Sequence, residues 1–207
     1  MVQHRQCTDG MGKTALATKR LMDIVCALMG LLLLSPLLVL IALSLRIQRN
    51  GPVIFRQSRI GLGGKPFTIY KFRTLSSEAE EDGPQLIANT NESCSTKLER
   101  FLRGHHLDEL PQMWNVLRGD MSLVGPRPER QYYIDKIMEK DSRYSLIYQM
   151  RPGLTSEATL YNGYTDTMEK MLRRLHMDLY YLEHRSLWLD CKIIIKTAAR
   201  MLGGVRF

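Results

Sequence analysis

Residues 24–45 read IVCALMGLLLLSPLLVLIALSL, an uncharged run dominated by Leu with Ile, Val and Ala. A helix needs about 20 such residues to cross a bilayer. Ser35-Pro36 falls near the middle of the run. Proline removes a backbone donor and disfavours helical geometry in the residue before it, so a break is expected there. The cationic flanks are balanced, with Lys19 and Arg20 on one side and Arg46 and Arg49 on the other. A true span normally carries its Lys and Arg excess on one side only. The expectation is therefore a re-entrant membrane helix over residues 19–50, broken at Ser35-Pro36, that returns to the face it entered. A straight span competes with this reading, because membrane helices tolerate proline. The run is too long for the apolar core of a signal peptide, and a soluble helix of this length would show a polar face.

Before this run, residues 1–18 are polar and lack periodicity, and they read as a disordered N-terminus. Gly12-Lys13-Thr14 resembles the end of a phosphate-binding loop, but Cys7 stands where the first glycine is required and no apolar strand precedes it. The 207 residues suit one compact domain or one domain plus an anchor, and 44% hydrophobic with 24% charged residues argues against wholesale disorder. The net charge of +8 attracts polyanions of three classes: nucleic acid, an anionic membrane surface, or phosphorylated small molecules. Cys7, Cys26, Cys94 and Cys191 are scattered without a CxxC pair, which argues against a disulfide framework or a zinc site. Cys26, inside the apolar run, reads as a small buried hydrophobe.

After the run, residues 51–207 read as one catalytic domain of the α+β class, rich in helix. Two β-prone stretches, 53–57 and 67–72, flank a glycine-rich turn and form a hairpin. Residues 76–94 read as an acidic, exposed loop, and 96–102 as a short amphipathic helix. Helices are expected over 108–117, with Pro111 early, and over 129–148. In 166–183, Met168, Met171, Leu172, Leu175, Leu179 and Leu182 share one face. The last helix, 187–202, is basic and carries Trp188; such a helix either lies in a membrane interface or packs as an ordinary core element.

Two sets of residues carry the chemistry. Arg56, Arg59, Lys65, Lys71, Arg73, Arg103, Arg127 and Arg151 recur outside the core pattern, several beside Gly or Pro, as in Gly125-Pro126-Arg127-Pro128 and Arg151-Pro152-Gly153. Rigid turns hold a guanidinium in place, and its planar fork recognises phosphate at two points. Against them stands Leu107-Asp108-Glu109-Leu110-Pro111-Gln112. Adjacent acids at a helix start either complement the dipole or supply a nucleophile and a magnesium ligand for phosphoryl chemistry.

The chain resembles the bacterial sugar transferases, the monotopic polyprenol-phosphate phosphoglycosyl transferases, in their minimal form. The matching stretches are Lys19-Arg20-Leu21-Met22-Asp23, Ser35-Pro36, Gly51-Pro52-Val53-Ile54-Phe55-Arg56-Gln57, Tyr70-Lys71-Phe72-Arg73-Thr74, residues 107–112, residues 121–128, Arg151-Pro152-Gly153-Leu154-Thr155 and Asp178-Leu179-Tyr180-Tyr181. The resemblance implies a re-entrant helix at the bacterial cytoplasmic membrane, with the catalytic domain on the cytosolic face. It also implies a two-step, magnesium-dependent reaction. Asp108 attacks the sugar-bearing phosphorus of a UDP-sugar and releases UMP; undecaprenyl phosphate then takes the phosphosugar from the enzyme. Glu109 assists the metal or the second step, Arg103 and Arg127 contact phosphate, and Lys71, Arg73 and Arg151 supply further positive charge. The product would start a capsule, exopolysaccharide or O-antigen type glycan and pass to downstream glycosyltransferases.

The sequence departs from the family pattern at Ser156-Glu157-Ala158-Thr159-Leu160-Tyr161-Asn162-Gly163-Tyr164, where many members carry Gly-Trp-Ala-Gln-Val-Asn-Gly-Arg, so the donor sugar is open. His105-His106 replace the usual hydroxyl residues and read as local variation. An inactive scaffold is the first rival reading, opposed by the intact Asp108-Glu109 pair. A membrane-tethered nucleic-acid-binding protein is the second, opposed by cations that lie on turns rather than along one helix face.

Overall fold

The computed structural model describes residues 8–48, 51–74, 96–163 and 165–203. The acidic loop expected over 76–94 lies outside them, as do Arg49 and the first seven residues.

The apolar run forms two helices, α1 (Lys13–Leu33) and α2 (Ser35–Ile47), bent by 60° at Leu34. The break follows from the sequence at atomic detail. Pro36 has no N–H to give Leu32, and the Ser35 hydroxyl donates to the Leu32 carbonyl at 2.8 Å in its place. No single described helix is long and apolar enough to cross a membrane; the bent pair passes that test only together.

The first half of α1 is built into the domain rather than flanking it. Lys19 Nζ meets Asp190 Oδ2 at 2.6 Å and the Val124 carbonyl at 3.0 Å. Asp23 Oδ1 accepts the Leu123 amide at 3.0 Å. Arg20 donates to the carbonyls of Val116 and Leu117. Lys19 and Arg20 are thus tertiary contacts, which corrects their reading as membrane-flanking cations. Disorder over 1–18 is likewise corrected for residues 8–18: α1 already starts at Lys13, Met11 is buried, and Arg185 Nε donates to Asp9 Oδ1 at 2.7 Å. Cys26 is exposed, not buried. It lies off the Lys19–Asp23–Ala27 stripe that faces the protein, and an apolar run is buried in protein only where an element covers it.

The hairpin is β1 (Ile54–Ile60) against β2 (Pro66–Phe72), antiparallel, with Gln57 opposite Ile69. Its first strand runs three residues past the expected 57. Then α3 (Lys97–Gly104) starts on a capping box in which Thr96 and Glu99 bond each other's amides. The helix expected over 108–117 divides into a 3₁₀ segment, Leu107–Gln112, and α4 (Met113–Arg118), because Pro111 supplies no N–H inside it. β3 (Ser122–Val124) pairs in parallel with β4 (Gly153–Thr155). Between them, the helix expected over 129–148 is also divided, into α5 (Gln131–Lys140) and a 3₁₀ segment, Ser142–Gln149. Asp141 is extended there, and its side chain caps the second piece through the Arg143 amide.

After β4 come α6 (Glu157–Asn162), α7 (Met168–His184) and α8 (Leu187–Gly203). The expected stripe of α7 holds, with Met171, Leu175, Leu179 and Leu182 buried with Val116 and Ile134 in the main core. A smaller cluster of Ile41, Leu45, Phe72 and Leu102 fastens α2 to β2 and α3. In α8 one face packs into the core through Ile193, while Trp188 and Ile195 on the other are 79% and 68% exposed.

Candidate active site

The Asp108-Glu109 pair sits in the 3₁₀ segment, and three neighbouring elements fix it. His106, at the entry, adopts φ 54°, ψ 22°, the only left-handed non-glycine residue among those described. His is among the side chains that tolerate this region. Its amide donates to the Arg103 carbonyl of α3 and its carbonyl accepts from the Glu109 amide, both at 3.2 Å. The His105-His106 departure thus includes a backbone turn that aims the pair. β2 supplies Lys71, whose Nζ lies 2.6 Å from Glu109 Oε1. Asn115 of α4 registers that strand by accepting the Tyr70 amide and donating to the Thr68 carbonyl.

The turn after β3 supplies Arg127, whose Nη2 lies 3.2 Å from the same Oε1. That turn is clasped by β4: the Gly125 amide reaches the Thr155 carbonyl and the Gly153 amide reaches the Pro126 carbonyl. Gly125 has to be glycine, since a Cβ there would stand 2.3 Å from the Arg151 carbonyl oxygen.

The two carboxylates are buried and differ electrostatically. Burial opposes ionisation of Glu109, but Lys71 and Arg127 outweigh it and hold the group below the usual carboxylate range. Burial, reinforced by the adjacent Glu109 charge, pushes Asp108 up to about 7. Burial likewise lowers His106. One carboxylate is thus locked between cations, while its neighbour forms no ion pair among the described residues.

The other expected phosphate ligands are placed less centrally. Arg73 directly follows β2 with its guanidinium beside Gly51, and Arg103 occupies the last turn of α3. Arg151 is engaged elsewhere: its Nε donates to the Gly119 carbonyl at 3.0 Å, and its charge faces Arg20. Arg59, Glu129, Arg174 and Asp178 gather behind Arg127, a cluster the sequence alone did not bring together. Two Asp/Glu groups do not make a metal cage, and no cluster of three or more potential ligands occurs among the described residues.

This arrangement sits within a matched family pattern: residues 14–204 match the family described as bacterial sugar transferase. The chain belongs to the bacterial sugar transferases. It is 44% identical over 187 residues to the UDP-glucose:undecaprenyl-phosphate glucose-1-phosphate transferase of Caulobacter vibrioides, covering 89% of this chain and 69% of that protein. It is 38% identical to the UDP-N-acetylgalactosamine-undecaprenyl-phosphate N-acetylgalactosaminephosphotransferase of Aeromonas hydrophila, over 90% of this chain and 44% of that one. It is also 38% identical to the sugar transferase EpsL of Bacillus subtilis, here over 89% of this chain and 87% of the relative. This sugar transferase therefore corresponds to most of some relatives and to less than half of others. The named donors of its relatives differ, glucose in one and N-acetylgalactosamine in another.

Proposed function

We propose that this sugar transferase moves a sugar 1-phosphate from a UDP-sugar to undecaprenyl phosphate through a covalent aspartyl intermediate. The observation that carries this reading is the split pair: Glu109 held by Lys71 and Arg127, and Asp108 buried beside it with no cation at hydrogen-bond distance among the described residues. An Asp108 oxygen attacks the phosphorus that bears the sugar. The bond from that phosphorus to the bridging oxygen breaks, and UMP leaves. An oxygen of the lipid phosphate then attacks the same phosphorus, the bond to Asp108 breaks, and the carboxylate is regenerated. Lys71 and Arg127 stand where they can transfer their charge from Glu109 to the donor's phosphates.

Magnesium fits this donor set only in company with substrate. The ion takes one or two carboxylates and completes its shell with phosphate oxygens and water. Asp108 and Glu109 would hold it, since Lys71 and Arg127 both bond Oε1 of Glu109 and leave Oε2 to a further ligand. When bound, it would neutralise charge on the diphosphate.

The anchor supports a position at the bacterial cytoplasmic membrane. The uncharged part of α1, residues 24–33, is roughly 15 Å long, about half the hydrocarbon thickness. A pair of such arms bent at Leu34 suits a re-entrant hairpin, which keeps both ends and the catalytic domain on the cytosolic face. The exposed Trp188 and Ile195 of α8 suit the same interface. The glycan started would be of capsule, exopolysaccharide or O-antigen type. Its sugar depends on donor contacts that include the divergent α6 segment.

UMP release from a panel of UDP-sugars, with magnesium and undecaprenyl phosphate, tests the reading. Release with at least one donor is expected, and Asp108→Asn should abolish it. Full release by Asp108→Asn would remove Asp108 as nucleophile.

A further inference from the structure

Arg127 reaches Glu109 from a four-residue turn, and something must hold the far end of that turn. The near end is secured by β4. At the far end, β1 grips the chain twice through backbone: the Ile60 amide donates to the Glu129 carbonyl at 3.1 Å, and Arg59 Nη1 donates to the Pro128 carbonyl at 3.1 Å. The Glu129 carboxylate is gripped as well. Arg174 Nη1 of α7 hydrogen-bonds its Oε1, and Arg59 Nη1 lies 3.5 Å from its Oε2. One acid thus joins β1, the turn and α7.

The surroundings set charged groups against an apolar wall that includes Ile137, Ile147 and Leu175. Arg127, Glu129, Tyr144, Arg174 and Asp178 are among the residues that line a cavity of about 10 Å³, room for roughly one water. The Nε atoms of Arg59 and Arg174 are buried with no hydrogen-bond partner among the described residues. Without its acid, Arg59 and Arg174 would each lose the leading opposite charge that offsets their burial while still facing Arg127, which is unfavourable. Held as it is by Arg59 and Arg174, the Glu129 side chain does not pair with Arg127, whose guanidinium extends to Glu109 instead.

We infer that Glu129 is a positioning residue: clamped by Arg59 and Arg174, it fixes the turn that presents Arg127 to the donor's phosphates. The inference rests on the transfer reaction proposed above and adds to it a residue that touches neither substrate nor the reacting atoms. Misplacing a phosphate-binding group by about 1 Å costs as much as a hundredfold in rate, so a loosened turn should register in kcat/KM.

A double-mutant cycle separates positioning from general support. Glu129→Gln keeps the shape and removes the charge; Arg127→Lys keeps a cation and removes the fork. Glu129→Gln should lower kcat/KM for UMP release roughly tenfold in the wild-type background. In the Arg127→Lys background it should lower it no further. An equal fold-loss in both backgrounds, or wild-type activity in Glu129→Gln, would overturn the inference. Arg174→Gln should reproduce the pattern, and it replaces Glu129→Gln in the cycle if that variant does not fold by circular dichroism. Absence of UMP release from the wild-type protein would instead count against the transfer reaction. The same cycle would then be read as affinity for UMP by calorimetry, with the same two outcomes deciding it.

Discussion

Asp178 lies one helical turn beyond Arg174 on α7, fully inside the protein, and burial pushes it up to about 7 despite the opposing charge of Arg174. An acid whose folded pKa exceeds its unfolded value destabilises the fold as it ionises. Below about pH 4 both states are protonated and the group is silent. Between there and about pH 7 the unfolded chain loses its proton first, so stability falls as pH rises. Asp108, raised for a similar reason, adds to the same slope. Asp178→Asn should therefore leave the melting temperature close to wild type below about pH 4, and raise it above wild type by a margin that grows up to about pH 7 and then holds. A variant less stable than wild type at the upper end of that range would mean that the Asp178 charge supports Arg174. Much of the candidate site was legible at this scale. Asp108, Glu109, Lys71 and Arg127 stand in recognisable short stretches, and the structure brings them within hydrogen-bonding reach of one another or next to one another in the chain. Glu129 and Arg174 were not legible: a lone Glu after a turn and an Arg on a helix look like solvated surface until folding places them together across 45 residues. Arg151 misled for the converse reason, since a rigid turn fixes a guanidinium without saying which carbonyl it will meet.

Among the elements, the bent pair α1–α2 was the most readable, because its break is chemical and local. Leu32 loses one donor to Pro36 and regains another from Ser35. Replacing both, as Ser35→Ala/Pro36→Ala, restores an amide to residue 36 and removes the competing hydroxyl, so α1 and α2 should fuse. A fused helix would present one apolar run of about 20 residues, long enough to span. The prediction is read with single cysteines introduced at Thr18 and Gln48, after removal of the native ones, in sealed vesicles. In the otherwise unaltered bent pair both cysteines should react with an impermeant reagent from the same side. In the fused variant they should react from opposite sides. Opposite-side labelling of the unaltered bent pair would sink the re-entrant proposal outright. The divided segments near 108–117 and 129–148 were less readable. Hydrophobic periodicity counts residues per turn over a long window, and a 3₁₀ turn or a single extended Asp141 barely changes that count.

Across the whole molecule, the proposed anchor and the proposed reactive centre are linked through Lys19. Its ammonium binds Asp190 of α8 and the last carbonyl of β3, and Tyr181 of α7 donates to the other oxygen of Asp190. From Val124 the chain passes directly into the turn that carries Arg127. This assembly was not legible, because a lysine before an apolar run reads as a headgroup contact and only the tertiary fold joins it to an acid 171 positions away. Both partners are almost wholly buried, and breaking a buried pair by removing one member costs about 3–5 kcal/mol, whereas replacing both by apolar groups of similar volume is often neutral. Lys19→Met alone should strand the Asp190 carboxylate and lower the melting temperature markedly, as Asp190→Leu alone should strand the ammonium. Lys19→Met/Asp190→Leu should recover a large part of either loss, although the Tyr181 hydroxyl then lacks its acceptor and keeps recovery incomplete. If the pair served stability only, UMP release would recover in step with the melting temperature. Because it also sets α1 against β3, the double variant should regain stability yet remain slower than wild type at saturating donor. Recovery of both quantities together would reduce Lys19 to a packing contact and separate the anchor from the alignment of Arg127.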